Sequence, residues 1–387
     1  MCLLFACFGT TLATWAVHLP SLQYATGMST AMVGTVLLTS GIGALVGMHV
    51  CGVLLDRLTG SLVTPVAGVA MAVGVLVPLA ATTTMWAVGG ALLFGIVTGS
   101  ADVSMNAAAV EVERAYGRPI MASFHAVFSL GNVAGSLLAT VAFARHLPSL
   151  PAAVAVSVLV VTVLAGMSSW LVGFSFRAGD DTPPNRDPRG SQLVPTVASL
   201  RRVVVLGALA FLLLLSEGGA MDWSSLHAQQ HFAAQPAAGS LAFGCFVTAM
   251  TVGRFCVDRI AARIGAASVV RWGCALATLG IGTVIVAPAI SVALVGWLLF
   301  GLGLSGGIPQ VFTAAGDSGE GSGQVLARVV GMGYVAMMAG PALIGWLAQL
   351  TSINTALLLP LCATAVGVMA AASVAPNGGA SRKDCAA

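Results

Sequence analysis

Charge is scarce in this sequence of 387 residues. Lys and Arg number 16 and Asp and Glu 13, together 7% of the chain, whereas a soluble domain carries about 25% charged residues. So few charges cannot cover the water-facing surface of a globular protein of this length. The composition therefore excludes a soluble enzyme, a nucleic-acid-binding protein and a disordered chain.

Cysteine is also sparse, and its placement gives no sign of metal or redox chemistry. The chain has eight cysteines, mostly within apolar runs, and no two have the spacing of metal ligands or of a redox pair. We interpret them as small hydrophobic residues and expect neither a cofactor nor a metal. They are Cys2, Cys7, Cys51, Cys245, Cys256, Cys274, Cys362 and Cys385.

Long apolar runs are what the chain has in place of charge. Hydrophobic residues make up 58% of it, and a helix needs about 20 apolar residues to cross a bilayer core. The runs do not alternate, which argues against a membrane β-barrel. They predict twelve helices at about 1–19, 30–55, 62–82, 86–110, 120–143, 151–175, 203–222, 237–257, 266–288, 291–314, 325–348 and 354–375.

One polar segment divides these helices six plus six. Residues 177–200 are rich in charge and proline and too polar to enter lipid. We therefore predict an N-terminal six-helix bundle over 1–176, a cytoplasmic linker over 177–200, a C-terminal six-helix bundle over 201–375 and a cytoplasmic tail over 376–387. The predicted fold class is an all-α membrane protein made of two pseudo-symmetric bundles.

The basic residues predict the orientation. Cytoplasmic loops of membrane proteins carry an excess of Lys and Arg, and with a cytoplasmic N-terminus only Arg145 would lie outside. Both termini are then cytoplasmic, in an inner (plasma) membrane. The residues on the inside would be Arg57, Arg114, Arg118, Arg177, Arg186, Arg189, Arg201, Arg202, Arg254, Arg259, Arg263, Arg271, Arg328, Arg382 and Lys383.

A short motif recurs at equivalent places in the two halves. A glycine is followed by Asp-Arg after the second helix and again after the eighth, with a Gly-to-Asp spacing of four and then five. Repeated halves with the same orientation are typical of many secondary transporters. We expect the glycines to let helices approach closely and the charged residues to form gating loops on the cytoplasmic side. The motif residues are Gly52, Asp56, Arg57, Gly253, Arg254, Asp258 and Arg259.

Twelve helices in two halves, the charged linker and this motif together resemble the major facilitator superfamily of transporters. The first copy departs from the family pattern, because Gly60 comes one residue late and Ser61-Leu62 replace a basic pair. Three segments are similar to the fucose-permease-like branch of bacterial members: Ala101–Asn106, Ser123–Gly131 and Glu217–Ser224. The resemblance implies alternating-access transport, and for this branch sugar–proton symport.

The fourth helix holds the acid on which the functional hypothesis depends. Asp102 lies well inside an apolar run, and an ionised group at bilayer depth costs at least about 2.5–3.5 kcal/mol. Thr98, Asp102 and Asn106 are spaced by four and share one helix face. A carboxylate and an amide on one face can bind hydroxyl groups, and the carboxylate can also carry a proton. The alternative is a structural acid that bonds a neighbouring helix and never titrates.

Four further polar residues are candidates for the substrate or proton site, each beside a simpler alternative. His125 could donate to a substrate hydroxyl or relay protons, or simply pack. Glu217, in the outer third of helix seven, could be a second proton site or a gate residue. Trp223 could close over the substrate or belong to the interfacial aromatic belt. Gln310, after the Gly-Gly-Ile-Pro stretch of helix ten, could line the cavity beside freed carbonyls or pack at a kink.

Together these residues favour proton-coupled uptake of a small polar, sugar-like solute by a monomer that contacts lipid and no nucleic acid. Proton-driven efflux of a drug-like or metabolite compound is the alternative, and a non-transporting membrane sensor a distant one. An enzyme is disfavoured, although Gly303-Leu304-Ser305-Gly306 matches an intramembrane serine-protease pattern. A serine nucleophile needs a neighbouring base, and we place His227 and His231 in the loop after helix seven.

Overall fold

A computed structural model describes residues 1–58, 60–117, 120–173, 197–317 and 322–375. In the N-terminal half the helices are α1 (Cys2–Thr26), α2 (Thr30–Arg57), α3 (Gly60–Gly74), α4 (Leu76–Leu79), α5 (Thr84–Tyr116), α6 (Met121–Ala144) and α7 (Ser149–Gly173). In the C-terminal half they are α8 (Val197–His231), α9 (Pro236–Ile264), α10 (Ala266–Val286), α11 (Ile290–Leu304), α12 (Gly307–Gly316), α13 (Ser322–Leu350), α14 (Ile353–Ala356) and α15 (Leu358–Ala370), followed by a 3₁₀ turn (Ala371–Val374).

These helices form twelve apolar spans long enough to cross a membrane, as predicted. Three spans are interrupted helices: α3 with α4, α11 with α12, and α14 with α15. The described residues form no strand. The all-α class and the number of spans are therefore confirmed, while most of the predicted linker and the whole predicted tail lie outside the described residues.

Several helices run further than the apolar runs suggest. The first continues through Pro20 to Thr26, because a proline inside a membrane helix is tolerated where neighbouring helices satisfy the freed backbone groups. The seventh span reaches His231 and the eighth Ile264. Polar residues at these ends do not stop the helix, since the ends lie at the membrane surface or are covered by other helices.

The two halves repeat the same packing. In the first half α1 packs on α6 and α2 on α5, and in the second α8 packs on α13 and α9 on α11. In span numbers these are the pairs one–five and two–four, then seven–eleven and eight–ten. The internal repeat predicted from a short motif is thus a repeat of the whole bundle.

Glycines allow the close helix contacts inside the halves. A side chain at Gly47 would collide with the backbone of Ile96, and one at Gly131 would collide with the backbone of Ala6. Such small-residue contacts are a usual means of packing membrane helices.

The halves meet along α6 with α9, α2 with α13, and α1 with α8. At one end of the molecule, called here the Gln23 end, Gln230 donates to Gln23 at 2.7 Å and Trp346 donates to Thr35 at 3.4 Å. The opposite end is called here the Arg57 end, and Tyr116 at this end is 63% exposed. Tyr334, near the middle of α13, is 52% exposed. Two hydrogen bonds thus hold the halves together at the Gln23 end.

Candidate functional site

Asp102 lies near the middle of α5 and is half-buried. The Asn106 amide donates to its carboxylate at 3.0 Å and to its backbone carbonyl at 2.9 Å. No Arg, Lys or His among the described residues forms an ion pair with it. One turn away, the Thr98 hydroxyl is buried without a partner. The predicted shared face of α5 thus holds an acid with an amide partner and no cation.

Tyr334, which the sequence analysis missed, faces this acid from the other half. It lies near the middle of α13 and has an electrostatic interaction with Asp102. Its side chain is 52% exposed. The sequence did contain a signal for this residue, because it is one of only three tyrosines in the chain and lies in the middle of an apolar span.

Glu217 and Arg254 form an ion pair inside the second half. Arg254 Nη2 donates to Glu217 Oε1 at 2.8 Å, and the two side chains are 35% and 11% exposed. Glu217 lies close to the middle of α8, so its predicted position in the outer third was wrong. The prediction of Arg254 as a loop residue was also wrong, because α9 continues past it to Ile264 and its side chain reaches back toward mid-membrane.

His125 brings the first half to this ion pair. It lies in the first turns of α6 and is exposed, and its imidazole is close enough to the Arg254 guanidinium for an electrostatic interaction. The ring of Phe5 packs edge-on against it at a centroid distance of 5.5 Å. Two predicted site residues, Asp102 and His125, thus each interact electrostatically with a residue of the other half, and Asn106 is hydrogen-bonded to Asp102.

The repeated motif does not form two equivalent loops. Gly52 and Arg57 lie within α2, and Gly253, Asp258 and Arg259 lie within α9. A side chain at Gly253 would collide with Ser305, whereas one at Gly52 would meet nothing within 4 Å.

The close approach predicted for both glycines is therefore present in one copy only. Arg57, Asp258 and Arg259 are exposed, and the described residues give none of the three an ion pair. The Asp56 side chain lies outside what the structure describes. A gating role for the motif stays a prediction.

Trp223 is fully buried between the halves. Its indole ring lies against Gly345 of α13 and belongs to the hydrophobic core of the first half. A place in a lipid-facing aromatic belt is therefore wrong, and a role in closing the Gln23 end stays open. Asp222, which we expected at the end of the helix, lies inside α8 and is half-buried.

Gln310 follows a break in the tenth span, as predicted. The break lies at Ser305 and Gly306, between α11 and α12, and Gln310 is buried. Both the cavity and the packing interpretation remain compatible with this position. The Ser305 hydroxyl donates to the Leu302 carbonyl at 2.7 Å, which accounts for it as a helix-end contact.

The two histidines assigned to a loop are helical instead. His227 is fully buried in α8, and its Nε2 lies 3.0 Å from the Asn354 side-chain oxygen. His231 stacks on it at a centroid distance of 5.2 Å. Their placement outside the helices was an error caused by ending the seventh span too early.

Comparison with known proteins agrees with this architecture. Residues 1–322 match the family model of the Major Facilitator Superfamily. The chain belongs to this superfamily. An uncharacterized MFS-type transporter of Yersinia pestis is 31% identical over 373 residues, which is 95% of this chain and 94% of the relative. An uncharacterized transporter of Sinorhizobium fredii is 31% identical over 365 residues, 94% of this chain and 92% of the relative.

Solved structures share the fold at low sequence identity. The D-xylose-proton symporter superposes with a TM-score of 0.70 at 14% identity, covering 96% of this chain and 95% of that chain. The nucleoside transporter NupG gives a TM-score of 0.68 at 13% identity, with 96% and 97% covered. The chain is thus a multi-pass membrane protein and a secondary transporter of a small molecule, not an enzyme.

Proposed function

We propose that this transporter takes up a small, polar, hydroxyl-bearing solute together with a proton. The observation that carries the proposal is Asp102, an acid at membrane depth that is held by the Asn106 amide and lacks a cation partner. Such a group needs water or a proton to be tolerated there. Because it borders the space between the halves, its protonation and solute binding can act on the same conformational step.

The second membrane acid supports this assignment by contrast. Glu217 is neutralised by Arg254 at 2.8 Å, so its charge is already balanced in the described conformation. Asp222, half-buried inside α8, has no ion pair among the described residues either. Of Asp102 and Asp222 we assign the changing charge to Asp102, because the Asn106 amide beside it supplies a further solute-binding group. This replaces the expectation that Glu217 is a second proton site.

Alternating access follows from where the halves touch. They are joined by hydrogen bonds at the Gln23 end, and the fully buried Trp223 lies in the same contact region. Separation at this end and approach at the Arg57 end would expose Asp102 to the opposite side. In our proposal the Arg57 end is cytoplasmic, the membrane is the inner membrane, and the unit of transport is a monomer.

The solute class is argued from the donors and acceptors on both halves. The carboxylate and amide of Asp102 and Asn106 suit hydroxyl groups, and Tyr334 adds a hydroxyl and an aromatic face from the other half. A structural neighbour is itself named a D-xylose-proton symporter, which is compatible with this class.

Transport by purified protein in proteoliposomes tests the proposal. With an inward proton gradient and a panel of pentoses, hexoses and polyols, the unmodified protein should accumulate at least one solute. Asp102→Asn should abolish accumulation and retain solute exchange, while Asp317→Asn, which changes an acid at the end of α12, should behave as the unmodified protein. Normal accumulation by Asp102→Asn contradicts the coupling role, and proton-driven exit of solute would favour the efflux alternative.

A further inference from the structure

The ion pair in the second half leaves most of its cation unused. A guanidinium has five N–H donors, and Arg254 gives one of them, on Nη2, to Glu217. The described residues provide no acceptor for the others. The side chain is 35% exposed, and it interacts with His125 on α6, the helix of the other half that packs on α9, so part of the guanidinium lies where the halves meet.

The first half places a second donor beside this cation. α6 packs on α9 of the other half, where Ser136 lies against Gly244. His125 and Arg254 lie about three turns further along this contact and interact electrostatically, and His125 is exposed. A neutral imidazole has one N–H donor. The described residues bring no carboxylate to His125, so nothing competes with a ligand for that donor. An anion between the two residues would be bound from both halves.

Charge balance shows which anion can be carried. In the proposed cycle Asp102 changes from carboxylate to carboxylic acid when a proton binds, which removes one negative charge from the site. The Glu217–Arg254 pair keeps its charges. A solute with one carboxylate would restore the lost charge, so the empty and the loaded transporter would carry the same net charge across the membrane.

We infer that Arg254 and His125 form an anion subsite, and that the solute is a hydroxylated carboxylate of the sugar-acid type. This inference rests on the proposed function, since it takes the hydroxyl-binding and proton-carrying roles of Asp102 from it. An arginine guanidinium can bind a carboxylate in a planar, two-donor geometry, and Arg254 has donors left for such a contact. A phosphate ester, with a charge of about −1.5 to −2, would not leave the net charge constant.

Matched solute pairs test the inference. D-Glucuronate and D-glucose differ by a carboxylate in place of a CH₂OH group, and so do D-gluconate and D-sorbitol. Binding to the purified full-length protein, measured by thermal stabilisation over a concentration series, should favour the acid of at least one pair by about tenfold or more. Glucose 6-phosphate should bind less well than glucuronate.

Variants attribute the preference to Arg254. Arg254→Gln leaves Glu217 without its partner and could fail to fold, so the double variant Arg254→Gln/Glu217→Gln, which removes both charges, is measured with it. In the folded variants the acid-to-neutral affinity ratio should fall to about one. Arg263→Gln, on the exposed end of the same helix, should keep the ratio of the unmodified protein.

The predicted constancy of net charge can be tested separately, by the dependence of uptake on membrane potential. Proton-driven uptake of the acid into proteoliposomes should be insensitive to a membrane potential set with potassium and valinomycin. A preference for the neutral member, a preference that survives in the double variant, or binding of neither member of either pair would overturn the inference. Proton-coupled accumulation of a neutral polyol that depends on Asp102 would at the same time uphold the proposed function.

Discussion

The two halves of the molecule handle a buried acid in opposite ways. In the first half, Asp102 is bonded only to the neutral Asn106 amide. In the second half, Glu217 is bonded to the Arg254 guanidinium. Depth in the membrane therefore does not by itself indicate function. A paired acid can remain ionised, while an unpaired one must exchange a proton or contact water.

We expect the largest difference in proton-driven accumulation between variants in which Asp102 or Glu217 is neutralised one at a time. Asp102→Asn should lower proton-driven accumulation by at least about tenfold, without a loss of stability, because it removes the proton carrier and retains hydrogen bonding to Asn106. Glu217→Gln should retain measurable accumulation. Uptake assays paired with thermal unfolding separate the two effects, and equal losses of accumulation would break the comparison.

The effects on the free energy of unfolding should have the reverse order, with the larger loss at the Glu217–Arg254 pair and the smaller at Asp102. Arg254→Gln should destabilise the protein by about 1–3 kcal/mol, below the 3–5 kcal/mol typical of a broken buried pair, because the guanidinium is a third exposed. The double variant Arg254→Gln/Glu217→Gln should recover most of that loss. A double-mutant cycle on thermal unfolding measures the coupling, and additive losses would mean that the pair does not stabilise the fold.

A smaller effect is expected from the amide partner of Asp102. Asn106→Ala removes one charge-assisted hydrogen bond, which is worth about 1.5–3 kcal/mol when fully formed. Because Asp102 is half-buried, water can replace part of that bond, and apparent solute affinity should fall only several-fold while proton coupling persists. Solute titrations at fixed proton gradient provide the measurement, and the buried Ala109→Ser on the same helix serves as a control for changes in packing.

The smallest effect on uptake should come from substitution of Tyr334 in the second half. Tyr334→Phe keeps the ring and removes the hydroxyl, so uptake should fall by about two- to fivefold, which corresponds to about 0.5–1 kcal/mol, the lower part of the range for one neutral hydrogen bond. Tyr334→Leu should have a larger effect because the aromatic face is lost as well. Uptake kinetics of both variants provide the measurement. Unchanged uptake by both would place Tyr334 outside the site.

Much of the fold was predictable from the sequence because it depends on composition. Apolar runs indicated all twelve spans, and the repeated motif indicated the repeat of the halves. Helix ends were predicted less well, since polar residues such as Asp222 and His227 lie inside α8, where burial by neighbouring helices replaces the apolar signal. The unequal glycines show the same limit, because only Gly253 has a helix packed against it.

The candidate site was predictable where one helix determines it. The spacing of Asp102 and Asn106 placed both on one face of α5, and they are hydrogen-bonded as neighbours there. The Glu217–Arg254 pair and the position of Tyr334 were not predictable, because each depends on how two distant helices are aligned. Arg254 was assigned to a loop for the same reason, since the sequence alone does not show that its side chain reaches α8.

In the proposed mechanism Asp102, and not Glu217, carries the coupled proton. Proton movement into proteoliposomes after solute addition, recorded with an internal pH dye for Asp102→Asn and Glu217→Gln side by side, tests it most directly. We expect solute-driven acidification with Glu217→Gln and none with Asp102→Asn, both proteins being folded. Acidification that persists in Asp102→Asn, or that is lost only in Glu217→Gln, would contradict it.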